Sequence, residues 1–300
     1  FNIIQNNQIL WADFVGCGGG GSNNVFYKNI FNYCGNSGMG ISGSGHRLID
    51  NETSYNNYRK FNTSWHAGGI KLVTWPRDIL MSSHIAHDNT GDGIWFDGYC
   101  SNITIEKCTS YNNTGCGIFY EISDRGLIKN NICYNNGIRG IYISASSDCG
   151  IFHNLVYNNG WEGITIMNAG RQGGFGPDGK FEVKNNYVIG NIMVNNGKPN
   201  NRAEMNIEMN SELAYNNFSD YNIFWRTPDD GRKLLLCNGW GKEVFNSLEE
   251  WQNTTGRDKN SIFADPRFSD LSNLEFYLQP DSRAIIKRCV KIKGVFFQVE

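Results

Sequence analysis

The stretch GDGIWFDGYCSNITIEKCTSYNNTGCGIFYEIS, residues 91–123, contains one motif twice. GIWFD begins at residue 93 and its near copy GIFYE at residue 117. The Gly-Ile pair also begins at residues 40, 69, 140 and 163. The copies recur every roughly 20–30 residues, and internal periods between about 20 and 50 residues are typical of solenoid proteins. The stretch therefore predicts a repeat fold.

Each copy of the repeat contains three short runs rich in β-branched residues, separated by Gly, Asn or Ser. Such runs predict strands joined by turns, and the lack of helical periodicity disfavours leucine-rich and ankyrin arrays. Three strands in a repeat of roughly 23 residues fit one coil of a right-handed parallel β-helix, whose stacked coils bury one continuous core. We therefore predict an all-β fold, a right-handed parallel β-helix with irregular C-terminal coils and a short helix.

Asparagines occupy matching places in successive copies. Two such sets are Asn113, Asn136 and Asn159, and Asn131 and Asn154. Stacked asparagine side chains can form hydrogen-bonded ladders from one strand layer to the next. The sequence therefore predicts asparagine ladders along the axis of the β-helix.

The repeat pattern suggests one β-helix domain over residues 1–300. We expect about five or six regular coils between residues 23 and 170. A Gly-rich insertion follows at 169–182, and irregular C-terminal coils and a cap occupy 183–300. Terminal repeats of solenoids are atypical because they must cover an exposed strand edge.

The end of the chain carries the signals of a cap. In NSLEEWQNTTG, residues 246–256, Ser247 precedes Glu250 by three residues, which is the capping-box pattern of a helix start. ADPRF and LEFYL, residues 264–268 and 274–278, are interpreted as a terminal coil and cap.

Composition excludes several classes of protein. A net charge of -2 without basic runs gives no electrostatic surface for nucleic acid or anionic membrane, and the apolar stretches are too short to span a bilayer. Nine cysteines without a CxxC pair argue against a zinc site. Several of them lie inside the repeats, so we expect buried thiols rather than a disulfide framework.

The chain opens at Phe1 with no Met and no signal peptide, so we interpret it as a mature or trimmed piece of a longer protein. An extracellular or cell-surface location is expected from the function inferred below. A homo-oligomer is compatible with the predicted fold.

Side chains alternate between the two faces of a strand, and this alternation sorts the repeat. With Ile94 inward, Trp95 and Asp97 point outward. The same register in the neighbouring coils predicts two outward rows: Lys71, Trp95, Phe119 and Tyr142, and beside them Val73, Asp97, Glu121 and Ser144.

The second row places two carboxylates on successive coils. Strands in a sheet lie about 4.7–4.9 Å apart, so we expect the carboxyls of Asp97 and Glu121 about 5 Å apart. Retaining glycosidases hold their acid/base and nucleophile about 5–5.5 Å apart, and two like charges this close raise one of the two pKa values. The alternative is a solvated face with no chemical role, although like charges in register destabilise a sheet.

The first row supplies aromatic rings for a substrate. We expect Trp95, Phe119 and Tyr142 to be exposed, and to present flat faces to sugar rings or simply to stack on one another. The loops after these strands form a rim, since loops on one side of a repeat scaffold commonly build the binding wall. From that rim and the preceding loop we select as substrate contacts Lys71, His66, Arg77 and Arg125.

GIWFD and GIFYEIS on successive coils, with HAGGIK at 66–71 upstream, resemble right-handed β-helix glycoside hydrolases of the kind that includes bacterial β-xylosidases. The resemblance covers about residues 40–170. It implies that Asp97 is the nucleophile and Glu121 the acid/base. The chain is also similar to β-helix enzymes that degrade matrix polysaccharides, including the archaeal disaggregatase type, so a xyloside substrate does not follow.

The leading hypothesis is a retaining glycoside hydrolase acting on a polysaccharide or oligosaccharide, without a cofactor. A second hypothesis is a polysaccharide lyase or epimerase with Lys71 as base, Arg77 or Arg125 on a uronate carboxylate, and Ca²⁺ bridging substrate and carboxylates. A third is a non-catalytic glycan-binding module, whose binding would survive removal of both carboxylates.

Overall fold

The structure is a computed structural model that describes residues 1–171, 179–232, 236–239 and 243–283. Its strands form three long sheets that wind around a common core. Each coil contributes one strand to each sheet, and neighbouring coils pair in parallel. This is the predicted right-handed parallel β-helix, and the prediction of the fold class is confirmed.

The strand bounds follow the three runs of each repeat. The first sheet contains Ile3–Gln5, Val25–Tyr27, Arg47–Ile49, Arg77–Ser82, Ser101–Glu106, Asp124–Lys129, Gly150–Phe152, Tyr187–Ile189 and Phe218–Asp220. The second contains Gln8–Leu10, Ile30–Asn32, Glu52–Ser54, Ile85–His87, Thr109–Tyr111, Ile132–Tyr134, Leu155–Tyr157, Ile192–Val194, Ile223–Trp225 and Ile262–Phe263. The third contains Val15–Gly19, Ser37–Ile41, Gly68–Leu72, Asp92–Phe96, Ile118–Glu121, Ile141–Ser144, Ile164–Met167, Met205–Ile207, Leu236–Asn238 and Glu243–Phe245.

The Gly-Ile repeat places an isoleucine at the same inward position of the third sheet in coil after coil. Residues in this column are paired in register and are at most 2% exposed: Ile70, Ile94, Ile118, Ile141 and Ile164. Fully burying one such side chain stabilises the fold by about 1.5–3 kcal/mol. The column therefore fixes the register that also sorts the outward residues.

Asparagine ladders close the turns between sheets, as predicted. In one ladder each side-chain Nδ2 donates to the next Oδ1 over 2.8–3.0 Å, through Asn89, Asn113, Asn136, Asn159 and Asn196. The second ladder runs at 3.0–3.2 Å through Asn131, Asn154, Asn191 and Asn222. These side chains pair buried polar groups at corners where the strand ladders are interrupted.

Regular coils begin earlier than predicted. The strand Ile3–Gln5 already pairs with Val25–Tyr27, so the expected start at residue 23 is wrong. The short sequence runs before residue 23 lack the Gly-Ile pair that marks the later coils, and pairing with the next coil supplies the missing register. The predicted insertion at 169–182 separates Ile164–Met167 from Val183–Lys184. Its residues 172–178 lie outside the described part of the chain.

The C-terminal region caps the core with a helix, Leu248–Thr255. The Ser247 side chain accepts a hydrogen bond from the Glu250 backbone N–H at 3.1 Å, as the capping pattern predicted. Leu248 and Trp251 enter the main core, so the helix covers apolar residues at the end of the solenoid. No helix in the described ranges is long and apolar enough to cross a membrane.

The predicted terminal coil and cap ends in a hairpin. Glu275–Leu278 pairs antiparallel with Phe268–Asp270. Phe276 lies with its ring 5.5 Å from Tyr134 and 5.8 Å from Tyr157. The hairpin therefore covers the outer face of the second sheet, because apolar residues there need a partner.

Smaller elements complete the described structure. Val183–Lys184 and Ala214–Tyr215 form a separate parallel pair. Short 3₁₀ turns lie at Lys198–Asn200, Pro228–Asp230 and Leu271–Asn273. The eight cysteines of the described residues are all free thiols, six of them buried, which confirms the prediction of buried thiols for this part of the chain.

Candidate functional site

Both outward rows run along the third sheet, with Val73 and Asp97 directly after the ends of their strands. Strand pairing places Lys71 beside Trp95, Trp95 beside Phe119, and Phe119 beside Tyr142. Glu121 pairs with Ser144 in the second row. The registers predicted from alternation are therefore confirmed for these pairs.

The aromatic row of Trp95, Phe119 and Tyr142 is buried, so the prediction that it is exposed is wrong. The three side chains are 4%, 8% and 8% exposed. Ring centroids lie 5.1 Å and 4.8 Å apart along the row, in near-parallel stacks. The Lys71 ammonium covers one end of the row and the Arg139 guanidinium the other. Since neighbouring groups occupy the ring faces, the row offers no open platform to a sugar.

Asp97 is held by an ion pair with the preceding coil. Its Oδ2 lies 2.9 Å from Lys71 Nζ, and the two side chains are 18% and 5% exposed. Lys71 Nζ also donates to the Trp65 backbone carbonyl at 2.6 Å and lies 3.3 Å from the centroid of the Trp95 ring. The ion pair therefore fixes the orientation of the Asp97 carboxyl.

Glu121 is more deeply buried than Asp97, and its side chain is 2% exposed. Its Oε2 accepts a hydrogen bond from the Trp95 indole N–H at 3.1 Å. Its Oε1 accepts one from Arg171 Nη2, at the edge of the Gly-rich insertion. Each carboxylate of the predicted pair thus has its own cation, which reduces the repulsion expected between two like charges.

The pKa values of Lys71 and His66 are both lowered by their surroundings. Burial lowers the pKa of Lys71, and the hydrogen bond to Asp97 opposes that shift. Burial, followed by the charge of Lys71, lowers the pKa of His66. His66 Nδ1 lies 3.1 Å from Asn36 Oδ1. His66 therefore lies close enough to Lys71 for the ammonium charge to lower the pKa of the imidazole.

The two coils that carry the carboxylates differ by one residue in the turn where these side chains lie. Phe96 pairs with Tyr120, and Ser101 pairs with Asp124. The five residues 97–101 of one coil therefore lie beside the four residues 121–124 of the next coil. Asp97 therefore follows the end of its strand, in a turn one residue longer than the turn after Glu121.

Ile122, directly after Glu121, has a φ of 49°. Positive φ is uncommon for a β-branched residue, but Tyr99 and Ala145 at the same corner of the neighbouring coils have φ values of 67° and 50°. The left-handed conformation is therefore a regular feature of this corner of the coils.

A charged row at the start of the third-sheet strands was missed by the sequence reasoning. The residues before the Gly-Ile pairs at 93, 117, 140 and 163 are Asp92, Cys116, Arg139 and Glu162. Arg139 Nε donates to Glu162 Oε2 at 2.9 Å. Comparing the residue at this position in successive copies of the repeat would have revealed the row from the sequence. Asp92 and Arg139 line a cavity of about 240 Å³ together with the edges of the buried aromatic row and Arg171.

Asp92 is a titratable group in that cavity. Burial raises its pKa to about 6, although the Cys116 backbone N–H, which donates to Oδ1 at 2.6 Å, acts in the opposite direction. A carboxyl with this pKa changes its charge near neutral pH, the range in which general acids and bases work.

Asp92→Asn is expected to remove a pH-dependent loss of stability. Below the ordinary pKa of 3.8 the wild-type carboxyl is protonated in both states, and as pH rises through 6 the folded state must bury a charge. The free energy of unfolding of the variant minus that of the wild type should therefore grow between pH 4 and 6.5, by up to about 3 kcal/mol at about 1.4 kcal/mol per pKa unit. Urea unfolding at several pH values measures this difference.

Asp78→Asn serves as the control for that measurement because Asp78 is exposed. Glu204, whose pKa burial raises to about 7, is present in all three proteins and cancels in the differences. Parallel pH curves for Asp92→Asn and the wild type would contradict the expected result.

A groove at the corner between the third and first sheets forms a second cavity, of about 290 Å³. Trp75 stacks on Tyr99 with ring centroids 4.4 Å apart, and Phe181 lies 5.9 Å from Tyr99. This corner groove is lined by Trp75, Arg77, Tyr99, Cys100, Ser101, Ile122, Ser123, Asp124, Ala145, Ser147, Asp148, Phe181 and Glu182.

The predicted arginines have different surroundings at this corner. Arg77 is exposed and lines the groove. Arg125 donates from Nε to Ser101 Oγ at 3.1 Å and lies 3.2 Å from Asp124 Oδ1. The Arg125 guanidinium is therefore already engaged by a carboxylate of its own chain.

The lyase hypothesis includes a Ca²⁺ ion, which needs protein ligands. Within residues 1–171, 179–232, 236–239 and 243–283, no group of three or more His, Cys, Asp or Glu side chains is placed to hold an ion. The absence of a cofactor remains a prediction.

Comparison with curated proteins finds a partial relative. "Uncharacterized protein YwoF" of Bacillus subtilis (strain 168) is 25% identical over 107 residues, which is 35% of this chain and 20% of that protein. The chain thus spans about a fifth of this relative's length.

Solved structures share the fold at low sequence identity. Pectate lyase Pel9A has a TM-score of 0.56 and 11% identity, over 91% of this chain and 74% of that chain. XylC, solved in complex with xylose, has a TM-score of 0.51 and 14% identity, over 74% of this chain and 38% of that chain.

A family model described as "Right handed beta helix region" matches residues 2–124 and 63–220, which together cover most of the chain. The matched segments contain both outward rows, the coils up to Phe218–Asp220 and the asparagine ladders except Asn222. The chain belongs to the right-handed β-helix family.

Proposed function

We propose that this chain acts on a glycan, and that it hydrolyses glycosidic bonds with retention of configuration. One observation carries the proposal: Asp97 and Glu121 lie at the same end of adjacent third-sheet strands, each beside its own cation. The strand spacing of about 4.8 Å suits the separation of about 5–5.5 Å that retaining hydrolysis needs. The names of two proteins of similar fold, a pectate lyase and a protein bound to xylose, agree with a glycan substrate.

In this proposal Asp97 is the nucleophile. Lys71 holds Oδ2 at 2.9 Å, so the other oxygen can attack the anomeric carbon. The bond from that carbon to the leaving oxygen breaks as the covalent glycosyl–Asp97 ester forms.

Glu121 is the acid and then the base. It gives its proton to the leaving oxygen, takes a proton from the incoming water, and the resulting hydroxide displaces Asp97 from the sugar. Because Arg171 bonds Glu121 in the structure, the proposal requires the guanidinium to leave that carboxylate when a sugar enters. The Arg171 side chain is 43% exposed and can move into solvent.

The test is product analysis on a panel of neutral and acidic polysaccharides. We expect new reducing ends without an unsaturated, ultraviolet-absorbing product, and NMR should show that the first product keeps the anomeric configuration of the substrate. Inverted products would overturn the assignment of Asp97 as nucleophile. No new ends on any polymer would overturn hydrolysis itself and favour a glycan-binding module.

Elimination is the second candidate because burial lowers the pKa of Lys71. A neutral Lys71 amine could remove the proton at C5 of a uronate, and the bond from C4 to the leaving oxygen would break to give an unsaturated sugar. Return of that proton to the opposite face would give epimerisation instead. The ion pair with Asp97 opposes the neutral amine, so hydrolysis is the preferred proposal.

The proposed substrate also sets the expected surroundings of the protein. A chain that acts on polysaccharides meets them outside the cell or at its surface, and we propose that location. Carbohydrate is the proposed partner, nucleic acid and membrane are not, and a homo-oligomer remains a prediction.

A further inference from the structure

We propose that the corner groove binds one uncharged sugar ring of the glycan, with Trp75 and Tyr99 as the platform. That this bound ring lies next to the reacting sugar rests on the proposed function, but binding of the ring does not require cleavage. The platform predicted from the sequence was the buried aromatic row, whereas the corner groove contains an aromatic pair that solvent reaches.

The aromatic wall of the corner groove is exposed to solvent. Trp75 is 47% exposed, while one face of its ring lies against Tyr99 at a 12° interplanar angle. Phe181 lies beside Tyr99 and narrows the groove. A pyranose has an apolar face of C–H bonds that packs on such a wall, and aromatic side chains supply much of the contact area in small-ligand sites.

The floor of the corner groove is built by three successive coils. Tyr99, Ile122 and Ala145 occupy successive corners, each with positive φ, and each backbone N–H bonds the next coil. Their side chains decrease in size from Tyr to Ile to Ala. The smaller side chains of Ile122 and Ala145 therefore leave space beside the aromatic wall, and this space is the cavity of about 290 Å³.

The rim of the corner groove is polar. Hydroxyls of Ser101, Ser123 and Ser147 and the carboxylate of Asp124 line the same cavity. Ser101 donates to Asp124, and Arg125 donates to Ser101. Hydroxyls and carboxylates that are fixed by such contacts can accept hydrogen bonds from sugar hydroxyls at defined places.

The charge of the groove selects the class of sugar. Three carboxylates, those of Asp124, Asp148 and Glu182, and the Arg77 guanidinium line it. Arg125 lies 3.2 Å from Asp124 and Lys184 lies 2.5 Å from Glu182, so two of these carboxylates already pair with cations. A uronate would have to compete with them for those cations and would meet the like charge of Asp148. Neutral sugars are therefore favoured over the polyuronates that the lyase hypothesis requires.

The groove also adjoins the proposed catalytic pair. Tyr99 follows Asp97 by two residues, and Ile122 follows Glu121 directly. A ring in the groove would therefore belong to the same oligosaccharide as the ring at the scissile bond, next to it or one further along.

The experiment measures oligosaccharide binding by calorimetry in the Glu121→Gln background, so that the probes are not consumed. The neutral probes are xylohexaose and cellohexaose, and the acidic probes are hexamers of galacturonate and mannuronate. We expect at least one neutral probe to bind more tightly than both acidic probes. Trp75→Ala should weaken that binding at least about tenfold, whereas Trp75→Phe, which keeps a flat ring, should stay within about threefold.

Trp11→Ala is the matched control. Trp11 is 64% exposed and stacks on Tyr33 with ring centroids 4.6 Å apart at a 13° angle, so it has the surroundings of Trp75 but lies outside the groove. We expect Trp11→Ala to bind like the parent. Circular dichroism checks that each variant is folded.

The outcomes separate this proposal from the proposed function. Equal affinity in the parent and Trp75→Ala, tighter binding of the uronates, or no binding of either neutral probe at millimolar concentration overturns the groove, even if hydrolysis is observed. Binding that depends on Trp75 upholds the groove, even if the unmutated chain cleaves nothing.

Discussion

Asp97→Asn is expected to lower kcat/KM for glycan hydrolysis by at least about 10⁴-fold, the range seen when a covalent nucleophile is removed. The amide cannot form the glycosyl ester, and it no longer balances the charge of Lys71 at 2.9 Å. Initial rates on the best polymer of the panel measure the loss. Asp78→Asn, at an exposed carboxylate of the first sheet, is the control and should keep full activity.

A purely structural role of Asp97 has a different signature. In Asp97→Ala, added azide should restore part of the activity and give a glycosyl azide of inverted configuration, because the small anion takes the place of the missing nucleophile. Residual activity of Asp97→Asn above about 1% would contradict the assignment.

Glu121→Gln completes this test. It should lower kcat about 10²–10⁴-fold on natural glycans, and less on aryl glycosides, whose leaving groups need little protonation. Equal losses on both substrates would contradict the acid role.

Asn136→Ala is expected to lower the free energy of unfolding by about 3–5 kcal/mol. The Asn136 Oδ1 accepts from both the backbone N–H and the Nδ2 of Asn113, and its Nδ2 donates to Ser110 O and Asn159 Oδ1. Alanine leaves several of these buried partners unpaired, at about 1–3 kcal/mol each. Urea unfolding followed by circular dichroism measures the change.

Asn253→Ala is the control for the ladder, because Asn253 is exposed on the helix. Alanine favours helix there, so we expect a change of a few tenths of a kcal/mol. A loss below about 1 kcal/mol for Asn136→Ala would mean that the ladder adds little to the stability of the coils.

The alternation of the third-sheet strands was enough to predict which residues share a row. Ile94 is inward and Trp95 outward because successive side chains leave a strand on opposite faces, and the Gly-Ile repeat carries the same register through the coils. The matching asparagines predicted the ladders in the same way. Local periodicity alone carries this information.

The surroundings of each row could not be predicted in this way. The alternation places Glu121 on the outer face, but its side chain is buried and bonded by Arg171, 50 residues further along the chain. The same applies to the row of Trp95, which loops from other coils cover. A side chain that points away from the core is therefore not necessarily exposed to solvent.

By itself the sequence determined the parallel β-helix, the register of its third sheet and the placement of Asp97 and Glu121 on successive coils, because a nearly constant repeat period leaves each strand one partner in the next coil. Only the tertiary structure decided that cations flank these carboxylates, and that Trp75, rather than Trp95, has an aromatic surface open to solvent. The reason is that burial and charge pairing depend on loops distant in sequence, and no local period encodes where those loops fold.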